Sequence, residues 1–320
     1  MIHVEQEKQR VTQALTQEGV PQKDAETVAE CLVCADSYGV TSHGTATLGA
    51  HIQRIQRGGY NLNPTIKTLR ETAAFAVIDG DNAIGMVSAT HCISYAMKKC
   101  KDSGVFTVFS RNNNTLGPAF YYPLLCARAG YIGIVCTNSP AQMTPIGSKD
   151  KLLGTNPFSI VVPNGDEPII LDMATSVVAK SKFKEYKAQG KELPKGWAVD
   201  EYGQPTTDPD AAIRGSVLPM SGMKGYGMAL MIDVLSGVIS GAAWLNKVGR
   251  FYSEDGTGMN VGYCFTVIDP KQVLGEEYET AIAEFVTTIR NSSAVDGGTV
   301  ALPGDDRLQH WKDNAKLEKE

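Results

Sequence analysis

The segment "TSHGTAT", residues 41–47, sets His43 between a serine and a glycine at the end of a helical pattern. An imidazole gains and loses its proton near neutral pH, so His43 is a candidate acid or base for a reacting oxygen. The plain alternative is a polar side chain that terminates a helix. A second segment, "MSGMKGYG" (220–227), sets Lys224 immediately before a long helical run. The unpaired N–H groups and positive dipole end of such a helix favour an anion, and Lys224 adds a full charge. A solvated lysine at a helix start explains the same residues, and the sequence alone leaves both readings open.

Other reactive patterns are weaker. The remaining histidines are His3 and His310, near the ends, and His51 and His91, inside helical patterns without partner motifs. No pair has metal-ligand spacing, so no metal site is expected. No G-x-S-x-G elbow supports a serine hydrolase. Cys31 and Cys34 form a C-x-x-C inside a helical pattern, which suits two small core residues better than metal or redox chemistry. A G-x-x-x-x-G-K-[ST] loop is missing. The nearest approach to G-x-G-x-x-G is Gly225-Tyr226-Gly227, with Leu230 in the third place and no strand leading in.

The elements that must position these residues follow from periodicity. Val11 and Leu15, then Ala25, Val28, Leu32 and Ala35, mark helices over 5–18 and 21–38, with Pro21 suited to a first turn. A third helical pattern covers 45–57 and stops at Gly58-Gly59. Beyond it, "FAVIDG" (75–80), "VFTVFS" (105–110), "YIGIVCTN" (131–138), "FSIVV" (158–162) and "IILDMA" (169–174) read as strands. Helical segments over 86–102 and 119–129 predict α/β crossovers between the first three, and "PNGDEP" predicts a hairpin between the last two. A charged helix over 177–190 leads into a loop, "ELPKGWAVDEYGQPTTDPDAA". The run "YGMALMIDVLSGVISGAAWL" (226–245) is long enough to span a bilayer, but Asp233, its glycines and its serines argue against that. Its G-x-x-x-G at Gly237 and Gly241 predicts a central buried helix, with a subunit interface as one use. The polar end, "HWKDNAKLEKE", is expected to fray.

A length of 320 residues suggests about two domains by size alone. The working division is a helical N-terminal segment (1–60), a sheet-containing nucleotide and substrate core (61–270), and a C-terminal helix and tail (271–320) within one catalytic unit. A net charge of −5 with no run of basic residues argues against nucleic acid or an anionic membrane as partner. Seven scattered cysteines and a charged opening without an apolar leader pattern lead to the expectation of a cytoplasmic protein with reduced thiols.

Five stretches in order, "DSYGVTSHG" (36–44), "GTNPFSIVVP" (154–163), "DMATS" (172–176), "GWAVDEYGQPTTDP" (196–209) and "MSGMKGYGMALMIDVLSGVISGAA" (220–243), resemble the type-2 malate/L-lactate dehydrogenase family. That family includes ureidoglycolate, sulfolactate and diketogulonate dehydrogenases and a cyclic-imine reductase. The resemblance runs from about residue 5 to "LPGDD" (302–306), and the chain looks short at its carboxyl end beside the family. It implies an α/β, non-Rossmann nicotinamide-binding fold with a mixed sheet and helical N-terminal elements. It also implies NAD or NADP as cofactor and a homodimer. Ser139, Asp172, Met173, Ala174, Lys224, Gly304 and Asp305 match the family's cofactor contacts. His43 matches its proton donor, and Thr47, Thr115 and Thr155 are the candidate substrate contacts.

Two positions depart from the family pattern. An arginine is usual where Thr47 stands, and threonine offers a carboxylate no charged fork. A histidine is usual where Thr115 stands in "SRNNNTLGPAFYY" (110–122), and a hydroxyl can orient a carbonyl but cannot titrate near neutral pH. Three explanations stay open: His43 suffices as the acid; the substrate differs or uses another cation such as Arg111; or oxidoreductase activity has been lost. The expected reaction is hydride transfer between NAD(P) and a small 2-hydroxy or 2-oxo acid. A cyclic 2-imino acid, a ureidoglycolate-type substrate and a catalytically impaired nucleotide-binding homologue are the alternatives.

Overall fold

The structure, a computed structural model, describes residues 3–295 and 297–317. Helices α1 (Val4–Gln17) and α2 (Gln22–Ser37) pack on each other through Val11, Leu15, Ala25, Val28 and Leu32, the periodic apolar positions. The expected helix over 45–57 begins later than its pattern. Two 3₁₀ turns, Thr41–His43 and Thr45–Thr47, precede α3 (Leu48–Gln56), and Gly58 at φ +74° ends it.

The remaining elements in chain order are β1 (Lys67–Glu71), β2 (Phe75–Asp79), α4 (Gly85–Ser103), β3 (Val105–Asn113), α5 (Tyr121–Arg128), β4 (Ile132–Thr137), β5 (Phe158–Val162) and β6 (Ile169–Met173). Then come α6 (Ser181–Ala188), β7 (Ala198–Val199), β8 (Pro205–Thr206), α7 (Pro209–Arg214), β9 (Ser216–Val217), α8 (Met223–Asp233), β10 (Val261–Ile268), α9 (Pro270–Leu274), α10 (Glu277–Arg290) and α11 (Asp305–Leu317).

A mixed seven-stranded sheet runs β1-β2-β3-β10-β4-β5-β6. Strands β2 and β3 are parallel and joined by the α4 crossover, as the alternating pattern requires; the other neighbours are antiparallel. The hairpin expected at "PNGDEP" joins β5 to β6. The departure is at the centre. Strand β10, absent from the sequence reading, inserts between β3 and β4, with Tyr263 opposite both Ser110 and Thr137. Its buried Tyr263, Phe265 and Val267 alternate onto the face that packs under α4 and α5 with Phe106, Ile93 and Tyr122. Each such burial contributes roughly 1.5–3 kcal/mol. The charged edge strand β1 was also unexpected; its side chains are exposed, a composition that discourages edge pairing with another chain.

The loop expected over 192–212 contains strands β7 and β8, which join β9 in a small sheet β8-β7-β9, and the start of the short helix α7. Asp200 turns the chain by accepting the Tyr202 and Gln204 N–H groups, and Asp208 caps α7 ahead of Pro209. The run 226–245 also differs from expectation. Helix α8 widens into a π-helical turn at Val234–Val238, and Met231, Leu235, Val238 and Ile239 are exposed. The Ser236 and Ser240 hydroxyls bond back to the Ile232 and Ser236 carbonyls, which loosens the α-helical ladder there. The polar end is helical through Leu317, with residues 318–320 outside the described residues. It docks on the end of α2, where Trp311 stacks on Tyr38 and the Asn314 amide donates to Ser37 O at 2.9 Å. Among the described residues no helix is long and apolar enough to cross a membrane.

The π turn lies against β10 so closely that a Cβ at position 262 would stand 1.6 Å from the Ser236 carbonyl oxygen. Gly262→Ala should therefore destabilise the fold by roughly 3 kcal/mol or more, as overpacking against rigid backbone does. A urea melt with an unchanged midpoint would show that this approach is not tight.

Candidate active site

The antiparallel pairing brings the carboxyl ends of β3, β4 and β6 and the amino ends of β5 and β10 to one edge of the sheet. A cleft of about 610 Å³ opens along this edge. It is lined by His43, by Thr115–Gly117 after β3, by Thr137–Gln142 after β4, by Thr155 and Pro157 before β5, and by Arg250–Tyr252 and Met259 before β10, together with Lys151 and Lys180. Its size is that of small-molecule and cofactor sites.

His43 reaches the cleft because Asp36, on the last turn of α2, holds the segment that follows it. Thr45 donates its N–H and its hydroxyl to Asp36 Oδ2 at 2.8 and 2.6 Å. Gly44 lies between them because a Cβ there would stand 1.8 Å from Asp36 Oδ1. Thr47 closes the second turn by donating its hydroxyl to Gly44 O at 2.8 Å, so this side chain braces the loop rather than lining the cleft. Ser42 Oγ lies 3.0 Å from His43 Nδ1. The imidazole is open to the cleft, yet the protein crowded around it desolvates the ring and holds its pKa below the ordinary value; Asp172 opposes that shift and Arg307 adds to it.

Asp172, on β6, pairs with Arg307 of α11 at 2.9 Å, and the Arg307 guanidinium stacks over Phe120. Burial raises the Asp172 pKa, with Arg307 and then His43 pulling it back. The result is an ion pair of carboxylate and guanidinium whose opposite charges both act on the imidazole. Sequence reasoning missed Arg307, although it stands two residues after Asp305 in "LPGDDR".

On another side of the cleft the Ser139 N–H donates to Asn156 Oδ1 at 3.1 Å, and the Asn156 amide donates to Ala229 O at 2.8 Å. The Ser139 hydroxyl is buried without a hydrogen-bond partner among the described residues. A Cβ at Gly154 would stand 2.4 Å from that hydroxyl. An orphan donor beside a glycine-cleared space fits a polar ligand group such as those of a dinucleotide. Thr155 O accepts both the N–H and the hydroxyl of Thr175 at 2.9 Å, and Thr175 O in turn accepts the Met220 N–H at 3.0 Å. Met173 and Ala174 therefore run between the Thr155 segment with β5 and the segment that enters α8. Lys224 is exposed on the first turn of α8 and does not line the cleft.

Three cations do line it: Lys151, Lys180 and Arg250. Lys180 donates to Gly215 O at 3.1 Å, and desolvation, then Lys151 and Lys184, bring its pKa down to about 8. Desolvation and then Arg250 lower that of Lys151. Sequence reasoning missed all three, because cations in polar loops or on a charged helix look like ordinary surface residues. Arg111, the cation considered instead, faces Asp79 at 3.5 Å and packs beside Gly241, outside the cleft. Gly304, at φ +90°, clears Ile170, while the Asp305 carboxylate is held bidentately by Arg290; neither lines the cleft. His51 is buried, bonds Tyr60 OH through Nδ1 at 2.8 Å, and has its pKa lowered to about 4 by desolvation and Arg54.

The sequence profile of the malate/L-lactate dehydrogenase family matches residues 2–318. A malate dehydrogenase from Pyrococcus horikoshii is 41% identical over 291 residues, covering 88% of this chain and 80% of that protein. The solved structure of a sulfolactate dehydrogenase from Methanocaldococcus jannaschii superimposes with a TM-score of 0.91 at 38% identity, covering 97% of this chain and 90% of that one. A protein from Escherichia coli named ureidoglycolate dehydrogenase (NAD(+)) is 37% identical over 263 residues, covering 82% of this chain and 75% of that protein.

The Asp36 contacts give a direct test of how His43 is held. Asp36→Ala strands two donors and should cost roughly 1–3 kcal/mol of stability. Asp36→Asn keeps an acceptor and should cost less. Equal thermal melts for the wild type and the alanine variant would remove Asp36 from this role.

Proposed function

The chain belongs to the malate/L-lactate dehydrogenase family, and on that basis we propose that it interconverts a small 2-hydroxy acid and its 2-oxo acid with NAD or NADP, using His43 as the acid–base group. The observation that carries the proposal is that His43 borders the same cleft as Lys151, Lys180 and Arg250. A proton-exchanging group and a cationic anchor for an acidic substrate thus share one site.

The chemistry supplied by NAD or NADP when bound is hydride transfer to or from the substrate carbon. The chain's own residues do the rest. In reduction His43 protonates the oxygen that gains charge; in oxidation it accepts the hydroxyl proton. Asp172 stabilises the imidazolium formed in that direction, and Arg307 keeps Asp172 ionised against its burial. Thr115 offers a hydroxyl to the reacting oxygen but no titrating group. The cleft lysines and Arg250 take the carboxylate that Thr47 cannot hold. Ser139 supplies a free hydroxyl to the cofactor, with Asp172, Met173, Ala174, Lys224, Gly304 and Asp305 as the wider cofactor set. No glycine fingerprint serves the nucleotide, so the binding mode is a non-Rossmann one. The exposed Met231, Leu235, Val238 and Ile239 support a homodimer in which a second copy covers them. The proposed setting is the cytoplasm.

Three cations in one cleft favour doubly charged substrates of the malate or sulfolactate kind over a cyclic imino acid or a ureidoglycolate-type substrate. Steady-state oxidation of NADH and NADPH with oxaloacetate, sulfopyruvate, pyruvate, glyoxylate and a cyclic imino acid tests this. Lys180→Met should raise KM for oxaloacetate about tenfold or more and that for pyruvate by less. Cofactor binding without turnover on the whole panel would favour the impaired homologue.

The pH profile tests His43 itself. Its depressed pKa leaves it neutral, and so ready as a base, at neutral pH. Oxidative kcat/KM should hold there and fall on acidification through a pKa below the ordinary 6.5. Asp172→Asn removes the opposing charge and should move this limb to still lower pH. His43→Gln should abolish the limb and lower kcat roughly 10²–10⁴-fold. An unchanged limb in that variant would sink the assignment.

A further inference from the structure

Arg54, on α3, is 2% exposed and has no carboxylate partner among the described residues. Its two terminal nitrogens donate to oxygens from two distant stretches of chain, while its buried Nε has no hydrogen-bond partner among the described residues. One terminal nitrogen donates to Phe251 O at 2.9 Å and Arg250 O at 3.4 Å. The other donates to Thr257 O and to Asn114 Oδ1, both at 2.9 Å. The rings of Tyr60 and Phe251 flank it at 5.2 and 5.8 Å. Asn114 immediately precedes Thr115, and Arg250, Phe251 and Tyr252 line the cleft.

An isolated buried charge is costly unless its hydrogen bonds are made, and a planar fork is the side chain able to gather so many oxygens. We infer that Arg54 is a positioning residue for substrate binding: it clamps the 250–257 loop to the Asn114-Thr115 turn and so holds Arg250 against the cleft. Two further contacts share the load. Gly256 packs on α3 so closely that a Cβ there would stand 2.2 Å from the Arg57 carbonyl oxygen. The Phe251 ring also meets His51 edge-on at 5.0 Å. A lysine at 54 offers one ammonium and no fork, so it cannot reproduce the clamp.

The inference rests on Arg250 taking part in anion binding, and the experiment separates the two. Limited trypsin digestion reads the clamp without any activity, because the Arg250–Phe251 bond is itself a tryptic site. Arg54→Met should be cut there at least about tenfold faster than wild type. Arg54→Lys serves in its place should the methionine variant fail to fold. In kinetics Arg54→Lys should raise KM for the 2-oxo acid about tenfold with kcat within about threefold. That effect should vanish in an Arg250→Gln background, where the group being positioned is gone. Unchanged cleavage would overturn the clamp. Faster cleavage with unchanged KM, while Arg250→Gln alone raises KM, would overturn its role in substrate binding. If Arg250→Gln leaves KM unaltered, the anion-binding reading of Arg250 fails, and the role assigned to Arg54 in substrate binding falls with it.

Discussion

One buried amide, Asn138, holds together the parts from which the cleft is made. It donates to Asp233 Oδ1 at 2.9 Å and to Ala243 O at 2.7 Å, and its own oxygen accepts the Gly262 N–H at 2.9 Å. Those partners lie at the end of α8, in the segment after the π turn, and at the start of the central strand. Asp233 is itself buried and completes the set by accepting the Leu245 N–H at 2.9 Å. Deep in the protein such groups are tolerated only when every one of them is satisfied, so the network admits few other arrangements of these segments. The space for it comes from glycine. Gly262 leaves room for the Ser236 carbonyl, and a Cβ at Gly237 would stand 2.8 Å from the Asn138 amide. Ser139, the next residue, therefore enters the cleft from a fixed point.

Around that anchor the cleft has two electrostatic characters. Near His43 the imidazole feels the field of the Asp172–Arg307 ion pair, so its protonation depends on a balance of burial and opposite charges. Elsewhere burial, and after it the like charge of neighbouring cations, lowers the pKa values of Lys151 and Lys180 beside Arg250. An anion placed among these cations would favour their charged forms. On the proposed reading this is where the two threonine departures find their compensation. Thr47 has become a brace for the histidine turn, and the cationic work has moved to loops on the other side of the cleft.

The same edge of the sheet collects segments far apart in sequence: residue 43, the turns after β3 and β4, and the loop before β10. Only β10, returning late in the chain to pair with both β3 and β4, makes these neighbours. The carbonyls of 250, 251 and 257 meet the Arg54 fork for the same reason. Local rules explain each segment alone, but the shared edge is a product of strand order.

The local elements and the family were legible in the residues alone. Val11, Leu15, Ala25, Val28 and Leu32 repeat at helical spacing and do pack together, and the β-branched runs from 75 to 174 are strands because short apolar alternation suits little else. Five ordered motifs named the family, and His43, Thr115, Ser139 and Thr155 from that reading line one cleft. What stayed hidden depended on contacts between distant residues. "VGYCFTVI" carries good strand residues, yet nothing local says that it is the central strand, since strand order is set by which faces find each other. Residues 226–245 read as one buried helix because apolar composition does not reveal a π turn held open by serine hydroxyls, nor which face has no neighbour in the subunit. Lys151, Lys180, Arg250 and Arg307 looked like solvated charges until folding gave them shared surroundings. A side chain's type is local, but its desolvation and its partners belong to the tertiary structure, and here those decide where the charge of the cleft lies.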